Sequence, residues 1–461
     1  MQKNKNPLES LPQVEKLLEN RNIKPWFDVI SRPLTADCIN MVLQNIRKDF
    51  KETDIVPPLD EIIEKITDSC REVRKQSIQK VINGSGIILH TNLGRSPLDS
   101  DIWDRVKLIN TGYSNLEFNL ATGKRGKRGS LLPLLLSKLT GSESALVVNN
   151  NAAAVYLMLS ALAGGKEVIV SRGEQIQIGG GFRIPDILAL SGAKMVEVGT
   201  TNITTIKDYT DAVTENTAMA LLVHTSNFKI RGFSESPDIA LLAKALPDNI
   251  ILAVDQGSGI ITEKIDEEIS VNDYLKKGAD LVCFSGDKIL GGPQAGIIAG
   301  REKYISVMQK HPMMRTFRTG KTVYSLLENL VIQKLNKKDA SVIAKSLSLT
   351  PDDIRVKAEK LFSLVTAEYA EMCKSTYYFG GGSAPDLEFQ SWALKLKSGL
   401  TPDDLSDALR KLEIPIIVTI KNNSVYIDAA ALDEDDFKYI AEAVKSVVKS
   451  AVKAAAKEAR S

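Results

Sequence analysis

The chain has 461 residues, 43% of them hydrophobic and 25% charged, with a formal net charge of +2. It is long enough to bury a large core in two or three domains, and its near-neutral charge neither demands nor excludes a nucleic-acid partner. No apolar run approaches the roughly 20 residues that span a bilayer, and the opening MQKNKNPLES lacks the apolar core of a signal peptide, so a cytoplasmic location without membrane contact is expected. Cys38, Cys70, Cys283 and Cys373 lie far apart without a C-x-x-C pair, which suggests reduced, mostly buried thiols and neither a zinc site nor a disulfide framework.

Residues 1–80 read as a helical domain. Val14, Leu17 and Leu18, then Ile39, Val42, Leu43 and Ile46, recur at helix spacing, and Pro57-Pro58 interrupts the run before a further helix. Residues 81–335 change character, with short β-rich runs alternating with helical stretches as in a parallel sheet wound with helices. Strands are expected at 145–148, 167–170, 194–198, 218–223, 250–254 and 280–284, several of them running into polar turns. Residues 336–461 suggest a small α+β domain. The pattern there predicts a helix over 351–372, a glycine cluster at 380–382, a strand at 391–396, a helix at 402–412, strands at 416–420 and 424–427, and a helix over 435–460. In that last helix Lys445, Lys449, Lys453 and Lys457 fall four apart and draw a basic stripe, either a solvated face or an RNA contact.

In open α/β sheets, ligands bind beyond the carboxyl ends of strands. The run 280–284 ends in Ser285-Gly286-Asp287-Lys288 and continues into Gly291-Gly292-Pro293-Gln294, where missing side chains let backbone approach a ligand. A lysine there, desolvated and near other cations, can become a Schiff-base nucleophile, and Ser285 three residues earlier can reach a cofactor phosphate. An isolated S-x-x-K also describes a surface lysine in a glycine-rich loop. Three further groups bear on that choice. Asn149-Asn150-Asn151 leads into Ala152-Ala153-Ala154, offering an asparagine cap and a helix start that suits a phosphate. Asp255 ends the strand at 250–254, where a carboxylate could keep a pyridine nitrogen protonated or simply cap a turn. His224 ends the strand at 218–223 and could stack on an aromatic cofactor. Arg95, and Arg315 with Arg318 three residues apart, could form a forked receptor for a tetrahedral oxyanion or an ordinary charged surface.

These residues sit in long blocks that resemble the bacterial selenocysteine synthase family. The blocks are INGSGIILHTNLGRSPL (82–98), GYSNLEFNL (112–120), ALVVNNNAAAV (145–155), EVIVSRGE (167–174), GGGFRIPDI (179–187), SGAKMVEVGTTN (191–202), HTSNFKIRGF (224–233), SGDKILGGPQAGII (285–298) and HPMMRTFR (311–318). The resemblance runs nearly end to end and implies an aspartate aminotransferase-like (fold type I) enzyme with pyridoxal 5'-phosphate bound to Lys288. It also implies that Asp255 is the family's D-x-G-S-G aspartate and that Arg95, Arg315 and Arg318 hold selenophosphate. The implied reaction converts L-seryl-tRNA(Sec) to L-selenocysteinyl-tRNA(Sec) through an aminoacrylyl intermediate, with residues 1–80 holding the tRNA and a ring of dimers as the assembly. Two departures stand out: Gly129-Ser130-Leu131-Leu132-Pro133 replaces a histidine-containing stretch, and Gln256 replaces a leucine. The alternative is a pyridoxal phosphate lyase acting on a small amino sugar or amino acid, which would need neither residues 1–80 nor tRNA.

Overall fold

The computed structural model describes residues 7–458 apart from 130, 176, 179–180, 225–229, 231, 264, 266–267, 339–340 and 381–382, with backbone alone at 178, 182, 383–387 and 451–458. Ser130, Gly381, Gly382, most of the 224–233 block, residues 459–460 and the Lys453 and Lys457 side chains therefore lie outside the described residues. The chain forms two compact units, 1–81 and 82–461. Among the described residues no helix is long and apolar enough to cross a membrane.

The first unit is helical. Its long helices are α1 (Arg32–Thr53) and α2 (Leu59–Lys75), and Leu17, Leu18, Ile39, Leu43, Ile62 and Ile66 are almost fully buried between its helices. Ser31 caps α1 by accepting from Leu34 N–H, Asp54 closes it in the left-handed region, and Pro58 precedes α2, so the break falls where proline denies a continuing helix its donor. Cys38 and Cys70 are both buried in this core as free thiols.

The second unit is built on a seven-stranded sheet: β1 (Ser144–Val148), β2 (Glu167–Ser171), β3 (Lys194–Val198), β4 (Thr217–Val223), β5 (Ile251–Gly257), β6 (Leu281–Ser285) and β7 (Gly296–Gly300). Their spatial order is β1-β7-β6-β5-β4-β2-β3. Six of these strands lie where the sequence predicts them. The seventh, β7, was not anticipated, and it pairs antiparallel with both β6 and β1, so the sheet is mixed where the sequence predicts a parallel one. The reason is the connection: the turn after β6 carries no crossover helix, and only an antiparallel return is open to so short a link.

Successive residues along each strand serve opposite faces. Val147, Ile169, Leu222, Val254, Phe284 and Ile297 pack on one side, which α4 (Lys321–Leu335) covers with Leu327 and Leu330. Leu146, Val170, Leu221, Ala253, Cys283 and Ile298 pack on the other, where α3 (Asn151–Ala163) lies. Burial on both faces explains why the strands other than the edge strand β3, which is largely exposed, read as continuous apolar runs.

A four-stranded antiparallel sheet carries the carboxyl-terminal part: β8 (Ala370–Gly380), β9 (Ser383–Leu396), β10 (Thr419–Lys421) and β11 (Ser424–Asp428), in the order β8-β9-β11-β10. Helices α5 (Pro351–Val365) and α6 (Phe437–Glu458) cover it. The predicted helix over 351–372 is corrected here. It stops at Val365, because Thr366 adopts φ 77, and residues from 370 form a strand. The predicted strand at 416–420 is two short strands in different sheets, Ile416–Ile417 pairing with Ile82–Asn83 and Thr419–Lys421 pairing with β11. Leu89 N–H also donates to Phe379 O at 2.7 Å, so residues 82–89 run along this smaller layer before the chain enters the large sheet. Lys449 of the basic stripe lies 5.9 Å from the centroid of the Tyr369 ring.

Candidate active site

Lys288 lies in a tight turn beyond the carboxyl end of β6. Gly286 N–H donates to Ala295 O, Gly292 N–H to Gly286 O and Gly291 N–H to Lys288 O, each within 2.8–2.9 Å. A Cβ on Gly286 would lie 2.8 Å from Pro293 O, and Gly291 holds φ 81 with Ser341 Cβ 2.4 Å from where its own Cβ would be. The glycines are therefore there to let the loop fold back on itself. The lysine is 7% exposed. Burial, and next the neighbouring Arg95 guanidinium, hold its amine below the ordinary lysine range, against the opposing pull of Asp255, Asp287 and Glu268. It is thus a desolvated amine beside a cation, which is the condition for a nucleophilic lysine.

Arg95 Nη1 donates to Asp287 Oδ2 at 2.9 Å, and Ser96 N–H reaches Asp287 O. The Arg95 backbone sits at φ 63, an uncommon conformation for a non-glycine residue and one that concentrates at functional sites. Ser285, 6% exposed, ends β6 opposite Gly296.

Asp255 is buried near the end of β5. Its Oδ1 accepts from Asn151 Nδ2 at 2.8 Å and from Cys283 Sγ at 3.6 Å, while Oδ2 takes no hydrogen bond from a described residue. Burial pushes its carboxyl above the ordinary range, partly countered by Asn151 and then by Lys288. A buried carboxyl with one free oxygen calls for a cationic N–H partner. The departure at Gln256 has a structural role: its Oε1 accepts from Gly259 N–H at 2.8 Å and its Nε2 donates to Ser258, pinning the turn after Asp255.

Asn150 caps α3, its Oδ1 accepting from Ala153 N–H at 2.8 Å. The adjacent Asn151 Oδ1 is buried with no hydrogen-bond partner among the described residues. The backbone N–H donors of the helix start fit the phosphate of pyridoxal phosphate and the half-satisfied buried carboxyl fits its ring nitrogen, while the orphaned Asn151 Oδ1, an acceptor, suits a donor and not a phosphate oxygen. His224 N–H donates to Asp255 O at 2.9 Å, and its ring Nε2 lies 2.8 Å from Glu268 Oε2. The imidazole is therefore oriented by a carboxylate 44 residues away.

Lys288, Asp255, His224, Ser285, Asn150, Asn151 and Arg95 thus all lie at the carboxyl edge of the large sheet or in the turns beyond it. Arg315 and Arg318 are placed differently. The helix over Met314–Phe317 is four residues long and Arg318 lies past its end in extended backbone, so the expected shared helix face is not formed. Both arginines are exposed. Arg318 Nη1 lies 3.7 Å from Glu117 Oε1, in a cluster where Glu117 also pairs with Arg128 and Arg125 and where those guanidinium groups hold its carboxyl below the usual range. Their segment still approaches the cofactor turn, since Asn149 N–H donates to Phe317 O at 2.9 Å. Sequence reasoning missed Glu268, Asp287, Glu117 and Arg128; of these Asp287, beside Lys288 in the polar turn, and Arg128, in the basic run 124–128, carried a signal.

The sheet order with one antiparallel strand, and the buried lysine beyond β6, define the class: an aspartate aminotransferase-like, fold type I enzyme of the pyridoxal phosphate group. A solved structure, that of D-glucosaminate-6-phosphate ammonia-lyase, superposes over 81% of this chain and 97% of its own with a TM-score of 0.58 at 19% identity, a likeness of fold. Residues 81–433 match the family model of L-seryl-tRNA selenium transferase. The chain is 39% identical over 456 residues to the L-seryl-tRNA(Sec) selenium transferase of Alkaliphilus oremlandii, covering 95% of this chain and 98% of that one. It is 40% identical over 451 residues to that of Caldanaerobacter subterraneus, covering 95% and 97%. The chain belongs to the L-seryl-tRNA selenium transferase family.

Proposed function

We propose that the chain converts L-seryl-tRNA(Sec) to L-selenocysteinyl-tRNA(Sec) with selenophosphate. The observation that carries this reading is the buried amine of Lys288, set between Arg95 and Asp255 in a chain that matches the family over its whole catalytic region. The helix start at Asn150 and Asn151, through its backbone N–H groups, and Ser285 would hold the phosphate of pyridoxal 5'-phosphate, Asp255 its ring nitrogen, and Lys288 its aldehyde carbon. When bound there, the cofactor supplies an electron sink for the pair left on the seryl Cα when its proton departs.

The chain's own residues do the rest. Lys288, its amine kept neutral over a wider pH range by burial and by Arg95, takes the Cα proton and is placed to return it. Asp255 keeps a proton on the ring nitrogen through its free Oδ2. Glu268 fixes the imidazole of His224 against rotation. Arg95, Arg315 and Arg318 bind the phosphate of selenophosphate by charge-assisted hydrogen bonds and release inorganic phosphate once selenium has replaced the hydroxyl. For Arg318 this means exchanging Glu117 for the donor.

Residues 1–80 form the part that holds tRNA, and a closed ring of dimers acting in the cytoplasm completes the reading. The fold shared with an ammonia-lyase carries no substrate, and the small-molecule lyase alternative has no observation of its own. Replacing Lys288 tests the reading: Lys288→Ala should lose both the visible absorbance of lysine-linked cofactor and selenocysteine formation. Retention of that absorbance overturns it.

A further inference from the structure

Beyond His224, the same carboxyl edge opens into a cavity of about 340 Å³ that the catalytic account does not use. That size lies at the lower end of the roughly 300–1,000 Å³ typical of small-molecule sites. The cavity spans the ends of β4, β2 and β3, while Lys288 follows β6, two strands over from β4. Its wall is built. Thr204 N–H donates to Glu235 O at 3.0 Å, Glu235 N–H to Asn202 O at 2.9 Å and Asn202 Nδ2 to Phe233 O at 2.6 Å, which ties the loop after β3 to residues 233–235. Ser171 and Thr204 share a hydroxyl contact of 2.7 Å at the end of β2.

The lining chemistry is selective. Ser171, Thr200, Thr201 and Ser234 line it with hydroxyl-bearing side chains, Glu174 and Glu235 supply carboxyls, and Ile239 and Ile269 give an apolar floor. Among the described lining residues there is neither lysine nor arginine. A neutral nucleoside, with hydroxyls on its sugar and a flat apolar base, meets what it needs.

We propose that this cavity seats the 3'-terminal adenosine of the aminoacyl-tRNA, with Glu174 on the N1 and N6 edge of the adenine and the hydroxyls of Ser171, Thr200 and Thr201 around the ribose. The proposal rests on the selenium-transfer reading and adds the part of the substrate nearest the chemistry. The seryl group is esterified to this ribose, and the cavity reaches His224, whose N–H is bonded to Asp255 O. The terminal phosphate, on the 5' side, would point out of the cavity. Val223 N–H donates to Glu174 Oε2 at 2.9 Å, which fixes Oε2 as an acceptor with a second lone pair to spare and leaves Oε1 to carry the proton. Burial pushes this carboxyl up to about 8, so near neutral pH it carries a proton. A protonated carboxyl donates to adenine N1 and accepts from N6, whereas guanine presents the reverse pattern.

The test uses the holoenzyme, titrated calorimetrically with adenosine and guanosine, and steady-state kinetics of two variants. Adenosine should bind and compete with seryl-tRNA(Sec), and guanosine should bind about ten-fold or more weakly. Glu174→Met should raise the KM for seryl-tRNA(Sec) about ten-fold or more while leaving the KM for selenophosphate and the cofactor absorbance unchanged. Glu174→Gln, whose amide restores one donor and one acceptor, should recover most of that loss. Thr201→Trp, which crowds the cavity while keeping the carboxyl in the sequence, should raise the same KM. Wild-type KM values in Glu174→Met and Thr201→Trp overturn the proposal, as does adenosine binding that fails to compete, which would assign the cavity to a free nucleoside. Absence of turnover by the wild type, with adenosine binding intact and selective, would instead count against selenium transfer.

Discussion

Gly296, the first residue of β7, is where the sheet presses hardest on the cofactor turn. A Cβ at this position would lie 2.1 Å from Asn150 O and 3.0 Å from Asn151 Cα, and these are backbone atoms that no rotamer change can move aside. Ordinary contact needs about 3.4 Å or more, so Gly296→Ala must displace the start of α3 by about 1 Å or shift β7 out of register with β1 and β6. Overpacking against backbone costs about 1–3 kcal/mol, which lowers Tm by roughly 1–4 °C in a unit of this size. The functional effect should exceed the thermal one. A 1 Å movement stretches the 2.8 Å bond from Asn151 Nδ2 to Asp255 Oδ1 past the length of a hydrogen bond and turns the capped helix start away from the cofactor phosphate. Cofactor affinity, measured by absorbance titration of the apoenzyme, should fall about ten-fold or more, beside a modest drop in Tm by calorimetry. A variant with wild-type Tm and cofactor affinity within two-fold would refute the idea that this close approach positions Asn150 and Asn151.

Two other outcomes follow from the charges around Lys288. The amine acts only when neutral, and Arg95 is one of the groups that hold its affinity for protons down. Arg95→Gln should therefore raise the lysine's pKa, further helped by the unpaired Asp287, and move the rising limb of cofactor capture by the apoenzyme to higher pH; an unmoved limb contradicts this electrostatic account. Asp255→Asn removes the group that keeps a proton on the ring nitrogen and should lower kcat by about 100-fold or more with little change in KM for seryl-tRNA, measured by steady-state turnover. A change of less than three-fold would remove Asp255 from the chemistry.

The large sheet was legible because its strands, the exposed edge strand β3 apart, are buried on both faces and end in polar turns, so apolar runs such as 218–223 stand out and the residues after them, His224, Asp255 and Lys288, mark the working edge. Strand β7 was not legible, being a five-residue run with glycine at both ends inside what reads as a loop. Strand β8 was missed for a different reason: the periodicity of α5 runs on through residue 372, and only the positive φ of Thr366 stops it. Pairings at long sequence separation left no local trace. Glu268 at His224, Asp287 at Arg95 and Glu117 at Arg318 are each set by the fold, and they determine which guanidinium and imidazole groups are held and by what.

The most direct measurement is turnover by the purified holoenzyme with selenophosphate and, in separate reactions, seryl-tRNA(Sec) and seryl-tRNA(Ser), identifying the amino acid released from each tRNA. Selenocysteine from seryl-tRNA(Sec) and only serine from seryl-tRNA(Ser) is the predicted result. Serine alone from both, with lysine-linked cofactor intact, would contradict the selenium-transfer account.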